Sequence, residues 1–355
     1  MTDAPLIELT RGRIVESLHT GSIAVVDANG VLLASHGDPH KVAFLRSSAK
    51  PFQALPFVER GGVEHFGLTL RELSLACASH EGSALHVETV LGMQKKIGIQ
   101  ETDLQCGVHM PGDAAMFKSL LQSGAAAGPN INNCSGKHTA LLAHAKMRDL
   151  PLDNYLDITH PVQQDILTTF SEMCGVEREK VGIGVDGCSA PNFAVPLYNA
   201  ALGLARLADP RGLSEQRAAA CREITSAMTT HPEMVSGFGE FDCELMKVGA
   251  GRIICKRGAE GYQAVALLPG ALGLDSPGIG ITFKVSDGDA AHLSLEQYAS
   301  TRVRPAVALE ILRQLGALSS GQMRALSVFG PVRPIHNHGG LVTGESRPVF
   351  KLKST

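Results

Sequence analysis

The sequence predicts an α+β fold in which an antiparallel sheet built from terminal strands is covered by helices from a helix-rich middle. Extended apolar runs concentrate before residue 45 and after residue 252. Segments with the apolar spacing of helices fill most of the interval between them. Strands and helices that separate along the chain in this way, instead of alternating, are typical of α+β proteins.

The first predicted element is a β-hairpin. Apolar runs at residues 22–26 and 31–35 are joined by a short polar segment that ends in Asn29 and Gly30. Asn-Gly between two apolar runs is a strong hairpin signal. A further extended run at residues 42–45 leads directly into Ser-Ser-Ala-Lys at residues 47–50.

Helices are predicted to follow. Pro51 suits the first turn of a helix, where the backbone N–H groups have no partner within the helix. Thr69 and Glu72 have the spacing of a capping box, which predicts that the next helix begins there. The remaining pattern predicts helices at 84–97, 114–122, 137–149, 161–174, 196–207, 213–229 and 306–316, and strands at 180–186, 252–256, 262–267, 279–284 and 341–351. We expect a single domain over residues 1–355, with a helical lobe at about 60–230.

Composition limits the classes of function. The chain has 355 residues, of which 44% are hydrophobic and 19% charged, as expected for a globular protein with a sizeable core. Its formal charge of −3 and its lack of basic tracts argue against nucleic acid or an anionic membrane as a partner. No apolar run reaches the roughly 18 residues that cross a bilayer. The first residues lack the basic and apolar segments of an export signal, so we expect a cytoplasmic protein.

The eight cysteines are scattered and form no Cys-x-x-Cys pair. This pattern indicates small buried side chains in a reducing compartment. Cys134 and Cys188 lie in polar segments, and two thiolates that met in space would suit zinc, although two single cysteines do not define a metal site. A thiol nucleophile at Cys134 is an equally open alternative.

Ser47 and Lys50 form the first candidate for chemistry. Residues three apart lie on one face of a helix, and a lysine that loses its proton when buried can serve as a base for a hydroxyl. Ser-x-x-Lys behind a strand is the nucleophile arrangement of penicillin-recognising acyl transferases. Lys256, on a later extended run, matches a third element of that arrangement, although Arg257 stands where Thr or Ser is usual. The spacing by itself also fits an ordinary helix start.

Longer motifs connect these residues. They are Ser-Ser-Ala-Lys-Pro-Phe-Gln-Ala at 47–54, Ala-Ser-His-Glu-Gly at 78–82, Asn-Cys-Ser-Gly-Lys-His at 133–138, Val-Asp-Gly-Cys-Ser-Ala-Pro at 185–191, His-Pro-Glu-Met-Val-Ser-Gly at 231–237, Lys-Arg-Gly-Ala-Glu-Gly at 256–261 and Asn-His-Gly-Gly at 337–340. With these motifs, in this order, the chain resembles the Rhizobium-type L-asparaginases, also called class 3 or asparaginase II, over nearly its whole length.

The resemblance implies a fold related to serine β-lactamases and glutaminases, and hydrolysis of L-asparagine to L-aspartate and ammonia. It also implies two serine–lysine pairs, which by motif are Ser47 with Lys50 and Ser79 with Lys256. The chain departs from the family pattern at Cys255 and Arg257, which flank Lys256, and in the segment at 237–244.

Further implications of the resemblance concern the surroundings of these pairs. Zinc would be bound by Cys134, Lys137 and Cys188, and the protein would form a homodimer. Substrate-binding roles fall on Arg46, His138, Asp186 and Glu260.

Other functions remain open at this stage. A glutaminase and a penicillin-recognising serine hydrolase use the same serine–lysine chemistry. A metal-dependent binding or regulatory protein would use the two cysteines but not the serine–lysine pairs. The sequence does not decide between asparagine and glutamine, nor which serine is acylated.

Overall fold

Strands and helices segregate along the chain, as the sequence predicts. The computed structural model describes residues 2–289 and 303–354. The strands are β1 Ala4–Arg11, β2 Ile14–Asp27, β3 Leu32–His36, β4 Val42–Phe44, β5 Gly182–Val185, β6 Pro191–Pro196, β7 Ile253–Arg257, β8 Tyr262–Leu267, β9 Ile279–Val285, β10 Arg333–His336, β11 Val342–Pro348 and β12 Lys353–Ser354. The helices are α1 Lys50–Glu59, α2 Gly62–His65, α3 Leu70–Ala76, α4 Ala84–Ile97, α5 Ala114–Ser123, α6 Ser135–Lys146, α7 Pro161–Cys174, α8 Leu197–Ala208, α9 Glu215–Thr230, α10 Pro232–Val235, α11 Phe241–Val248, α12 Arg304–Gln314 and α13 Ser320–Ala325.

These elements group into two compact units. The first comprises Met1–Leu45, Val195–Asp209 and Glu244–Thr355, and the second comprises Arg46–Ala194 and Pro210–Cys243. The single domain expected from the sequence therefore stays a prediction. None of the helices in the described ranges is long and apolar enough to cross a membrane.

The first unit is built on an antiparallel sheet with the strand order β10-β11-β1-β2-β9-β8-β7, to which β3 and β12 add beside β2. Helix α8 packs on β2, β8 and β9, and α12 packs on β8 and β11. The approach of α8 is close, because a Cβ at Gly280 would lie 1.8 Å from the carbonyl oxygen of Ala201. This arrangement of terminal strands covered by helices confirms the predicted α+β class.

The predicted hairpin is present, and its strand β2 lies at the centre of that sheet. Strands β2 and β3 pair antiparallel, and Gly30 N–H donates to Asp27 O at 3.0 Å in the connecting turn. Gly30 has a φ of 86°, in the left-handed region where a glycine is favoured. Val25 and Phe283, on paired strands β2 and β9, are fully buried. Local turn chemistry therefore sets the register that buries the apolar face.

The second unit is mainly helical. Helix α1 packs against α6, α7 and α9, and α3 packs against α4, α6 and α9. Phe170 stacks on Phe193 at 4.9 Å and meets Phe52 edge-on at 5.7 Å, which fills the core with aromatic rings. The capping box predicted for α3 is present, since Thr69 N–H donates to Glu72 Oε2 at 2.7 Å and Glu72 N–H to Thr69 Oγ1 at 3.3 Å.

One local prediction needs correction. The sequence predicts Ser47 on the helix that carries Lys50, whereas the structure places Ser47 in a 3₁₀ turn, Arg46–Ala49, that precedes α1. Arg46 enters this turn with a φ of 52°, an uncommon conformation for a residue with a Cβ. The 3₁₀ turn ends where the α-helix starts, so the serine and the lysine belong to different elements.

Helix α6 approaches α3 at Gly136. A Cβ added there would lie 2.4 Å from Leu75 O and 2.8 Å from Leu75 Cγ. We expect Gly136→Ala to lower the free energy of unfolding by about 1–3 kcal/mol, the usual cost of overpacking. The matched control is Gly92→Ala on α4, where the nearest atom would be 3.6 Å away and where alanine favours the helix. Urea unfolding measures both variants, and equal stability of the two would contradict this account of the packing.

Burial keeps several histidines of the second unit neutral. Desolvation lowers the pKa values of His80, His86 and His144 from 6.5, and together with the charge of Lys137 it lowers the pKa of His138 to about 4. The unfolded chain then binds more protons than the folded one below pH 6.5, so stability is lost as the pH falls. We expect the melting temperature to decrease from about pH 6.5 to about pH 4.

The decrease should be shallower in His86→Gln, because glutamine does not ionise. Asp165 and Asp186 have pKa values lowered from 3.8, so their protonation affects the stability mainly below this pH window. A melting temperature that is constant between pH 6.5 and 4 would show that these histidines are not held neutral by folding.

Candidate active site

The side chain of Lys50 lies inside the second unit, although it is a lysine. Only 1% of the residue is exposed. Its amine donates to Ala78 O, to Ser79 Oγ at 2.9 Å and to Asn133 O at 3.4 Å. Helix α1 supplies the lysine, the segment after α3 supplies residues 78 and 79, and the segment before α6 supplies residue 133. Three separate elements therefore meet at one nitrogen.

The segment that carries Ser79 is held by its backbone. Ser79 N–H donates to Val235 O at 2.9 Å, and His80 N–H donates to Asn133 O at 3.2 Å. His80 also contacts Ser135 Oγ through Nε2 at 2.8 Å, while its Nδ1 accepts from Gly82 N–H at 3.0 Å. Because Nδ1 is an acceptor in a neutral ring, Nε2 carries the hydrogen and donates to Ser135. These bonds fix the position of Ser79 relative to the start of α6.

The partners of Lys50 determine what its amine can do. Carbonyl oxygens only accept, so Ala78 O and Asn133 O each take an N–H. Ser79 Oγ, 2.9 Å from the same nitrogen, is a hydroxyl that can both accept from and donate to an amine. The arrangement therefore suits proton transfer between a serine and a lysine.

The contact between Lys50 and Ser79 differs from the serine–lysine pairs expected from the sequence. The sequence pairs Lys50 with Ser47, and Ser79 with Lys256. The structure brings Lys50 to Ser79, because the lysine side chain extends inward from the first turn of α1 towards the carbonyl groups that follow α3. Ser47 is partly exposed, whereas Ser79 is 4% exposed. The pair of Ser47 with Lys50 stays a prediction.

The three residues expected to bind zinc do lie together. Cys134 is the N-cap residue of α6, Lys137 lies in the first turn of that helix, and Cys188 follows β5. Lys137 Nζ is 2.9 Å from Cys188 Sγ, and the thiols of Cys134 and Cys188 hydrogen-bond to each other. All three side chains are buried. In the described part of the chain, no group of three His, Cys, Asp or Glu side chains could hold a metal ion. The cluster has two sulfur donors, and the amine of Lys137 would be the third donor.

The cluster has an unequal distribution of charge. The hydrogen bond between the thiols lowers the pKa of Cys134 well below its ordinary value and raises that of Cys188, while burial raises both. The charges of Lys50 and Lys137 lower the pKa of Cys134 further. Burial lowers the pKa of Lys137, but the charges of the two sulfurs outweigh it, and the pKa lies above its usual value. The cluster therefore favours negative charge on Cys134 and positive charge on Lys137, with the proton of the thiol pair on Cys188.

His138 follows this cluster on α6 and is fully buried. Its Nδ1 is 2.6 Å from the hydroxyl oxygen of Tyr155, and its side chain also hydrogen-bonds the thiol of Cys188. His138 therefore lies directly against the cysteine–lysine cluster.

Arg46 and Asp186 contact each other, although 140 residues separate them in the sequence. Arg46 Nε donates to Asp186 Oδ1 at 2.8 Å, and both side chains are partly exposed. Burial raises the pKa of Asp186, but the charge of Arg46 and the N–H of Gly187 outweigh it, and the pKa lies below its usual value. The pair therefore presents one positive and one negative charge at the start of the 3₁₀ turn that holds Ser47.

Lys256 and Glu260 belong to the first unit. Lys256 lies on β7, is 1% exposed and donates to Arg257 O at 3.0 Å. Glu260 lies in the turn between β7 and β8 with a φ of 58°, and its carbonyl oxygen accepts a hydrogen bond from Lys284. The guanidinium of Arg304 donates to Gly258 O at 2.8 Å and so holds the same turn. The proposed roles of Lys256 and Glu260 stay predictions.

Sequence reasoning missed several residues of this site. Asn133 accepts from Lys50, Asn192 Oδ1 accepts from Arg46 N–H at 3.1 Å, and Tyr155 fixes His138. Asn133 and its neighbour Asn132 stand beside a cysteine before a helix, and paired asparagines at such a position indicate side-chain bonds to the backbone. Nothing in the sequence signals Asn192 or Tyr155, because their partners are distant along the chain.

Comparison with known structures finds distant likenesses. A probable glutaminase from Bacillus subtilis, in complex with 6-diazo-5-oxo-L-norleucine, matches over 84% of this chain and 85% of its own, at 12% identity and a TM-score of 0.40. The Mglu structure matches over 84% of this chain and 67% of its own, at 15% identity and a TM-score of 0.44. No curated protein sequence matches this chain significantly.

The comparison with protein families extends over nearly the whole molecule. The model of the L-asparaginase II family matches residues 7–348, a range that covers most of the first unit, all of the second and every candidate site residue. The chain therefore belongs to the L-asparaginase II family.

Proposed function

We propose that this protein hydrolyses the side-chain amide of L-asparagine to L-aspartate and ammonia through a serine activated by lysine. The observation that carries the proposal is the contact between Lys50 Nζ and Ser79 Oγ at 2.9 Å, inside a protein interior where two carbonyl groups occupy the other positions around the amine. Membership of the L-asparaginase II family supports an amidohydrolase.

We assign the attack on the amide carbon to Ser47 and the transfer of protons to Ser79. The attacking oxygen must be reached by the substrate, and Ser47 is the more exposed of the two serines. A proton relay must reach the base, and Ser79 contacts Lys50. Ser47 loses its proton towards Lys50, its oxygen forms an ester with the β-carboxyl carbon of the substrate, and ammonia leaves with a proton delivered through Ser79. Water then hydrolyses the ester.

Charged groups are available for the amino-acid part of the substrate. Arg46 suits the α-carboxylate and Asp186 suits the α-ammonium group, because the pair already presents both charges side by side. We also assign substrate contacts to His138 and Glu260, and a stabilising positive charge to Lys256, as the family resemblance implies. A substrate with both an α-carboxylate and an α-ammonium group is therefore favoured over a simple amide.

Zinc fits the cysteine–lysine cluster. Two sulfur donors and one amine nitrogen form a set that a soft or borderline ion prefers. Cys134, Lys137 and Cys188 would hold the ion. When bound, zinc would supply a positive charge that orients the substrate, since a serine already provides the nucleophile.

The two serines are distinguished by replacing each in turn. We expect Ser47→Ala to lower kcat at least about a hundredfold, in the range seen when one oxyanion donor is lost, and to abolish the acyl-enzyme. Ser79→Ala should slow turnover but still allow acylation. An ammonia-release assay measures turnover, and intact-mass spectrometry of enzyme quenched during turnover of L-asparagine measures the acyl-enzyme. Ser47→Ala with wild-type turnover would refute the assignment, and acylation lost only in Ser79→Ala would exchange the two roles.

A comparison of substrates tests the specificity. We expect kcat/KM for L-asparagine to exceed that for L-glutamine, and no turnover of the β-lactam nitrocefin. Ammonia release on the two amino acids and the absorbance change of nitrocefin provide the measurements. Faster release from glutamine would make the protein a glutaminase, and nitrocefin hydrolysis would favour the penicillin-recognising alternative.

The zinc proposal predicts a particular kinetic change. We expect the purified protein to contain about one zinc ion per chain. The double variant Cys134→Ser with Cys188→Ser should lose the ion and raise KM more than it lowers kcat. Elemental analysis with steady-state kinetics checks this, and Cys221→Ser in α9 is a matched control. An unchanged KM in the metal-free double variant would contradict an orienting role for zinc.

A further inference from the structure

We propose that His109 is a positioning residue for the serine–lysine site, and that it acts through the backbone of Asn133. The proposal rests on the function proposed above. His109 lies in the loop between α4 and α5 and belongs to none of the motifs that carry the family resemblance. Its Nε2 accepts the backbone N–H of Asn133 at 2.9 Å.

The position of the histidine ring is itself fixed. His109 Nδ1 is 2.7 Å from Met110 O, and a carbonyl oxygen only accepts, so Nδ1 carries the hydrogen. In the neutral ring Nε2 then has the lone pair that the N–H of Asn133 requires. The two contacts together allow one tautomer and one orientation of the ring.

Asn133 contacts both the serine–lysine site and the cysteine–lysine cluster. Its carbonyl oxygen accepts from Lys50 Nζ at 3.4 Å and from His80 N–H at 3.2 Å. Its side-chain oxygen is 3.0 Å from Cys134 Sγ. A small displacement of Asn133 therefore moves an acceptor of the lysine and a partner of the cysteine cluster at once.

The same loop holds the neighbouring residue. Asn132 Nδ2 donates to Cys106 O at 2.9 Å and to Gly107 O at 3.1 Å, and Asn132 Oδ1 accepts from Cys134 N–H at 2.8 Å. Residues 106–110 thus support the chain before α6 at two successive positions. The hydrogen bond to His109 is the one on Asn133, the residue that contacts Lys50. It uses a side chain, so a substitution at residue 109 can test it.

Two variants of His109 distinguish a role in positioning Asn133 from a general effect on stability. In His109→Gln the side-chain amide oxygen reaches the place of Nε2 and preserves the acceptor. In His109→Asn the oxygen reaches only the place of Nδ1, and Asn133 N–H loses its partner. We expect His109→Asn to lower kcat about three- to tenfold, the value of one neutral hydrogen bond, with KM and melting temperature near wild type, and His109→Gln to restore kcat.

The control is His65→Leu, at an exposed position in α2, which should leave kcat unchanged. Hydrogen exchange followed by mass spectrometry supplies a second measurement that needs no activity: the peptide with Asn133 should exchange faster in His109→Asn than in His109→Gln. Equal kcat in both variants and wild type, or equal losses in both, would overturn the proposal. If the wild-type protein released no ammonia from any amide, the proposed function would fail, and equal exchange rates would still refute the contact of His109 with Asn133.

Discussion

A buried lysine amine is the group on which the site depends. Lys50 extends from the first turn of α1 into the interior, where Ala78 O and Asn133 O take its N–H groups and Ser79 Oγ occupies the third position. A buried amine without such partners would be destabilising, because desolvation of a polar group is offset only by hydrogen bonds. The segments after α3 and before α6 must therefore present their carbonyl groups to the same point.

Close packing of helices brings those two segments together. Helix α6 approaches α3 at Gly136, where there is no room for a Cβ beside Leu75 O. This contact lies at the start of α6, one turn or less from Cys134 and Lys137. Backbone hydrogen bonds from Ser79 to Val235 and from His80 to Asn133 then fix the segment after α3. The geometry of the serine, the lysine and the cysteine cluster follows from one helix–helix contact and the short loops beside it.

Much of the fold was predictable because it depends on neighbours in the sequence. The Asn-Gly turn defines the β2–β3 hairpin, and the Thr69–Glu72 capping box defines the start of α3. The helices α4, α7 and α9 follow from apolar spacing and lie within a few residues of their predicted ranges. The short 3₁₀ turn at Arg46–Ala49 was not predictable, since the unusual backbone conformation of Arg46 is accompanied by an ion pair with a residue far along the chain.

The sequence by itself determined the α+β class, the main helices and strands, and the residue types of the site, because turns, caps and periodicity act over a few residues. The tertiary structure decided which of these residues meet. It paired Lys50 with Ser79 across 29 residues, Lys137 with Cys188 across 51 and Arg46 with Asp186 across 140, and it placed His109 on Asn133. Such contacts depend on how helices pack and how loops close, and no local pattern encodes them.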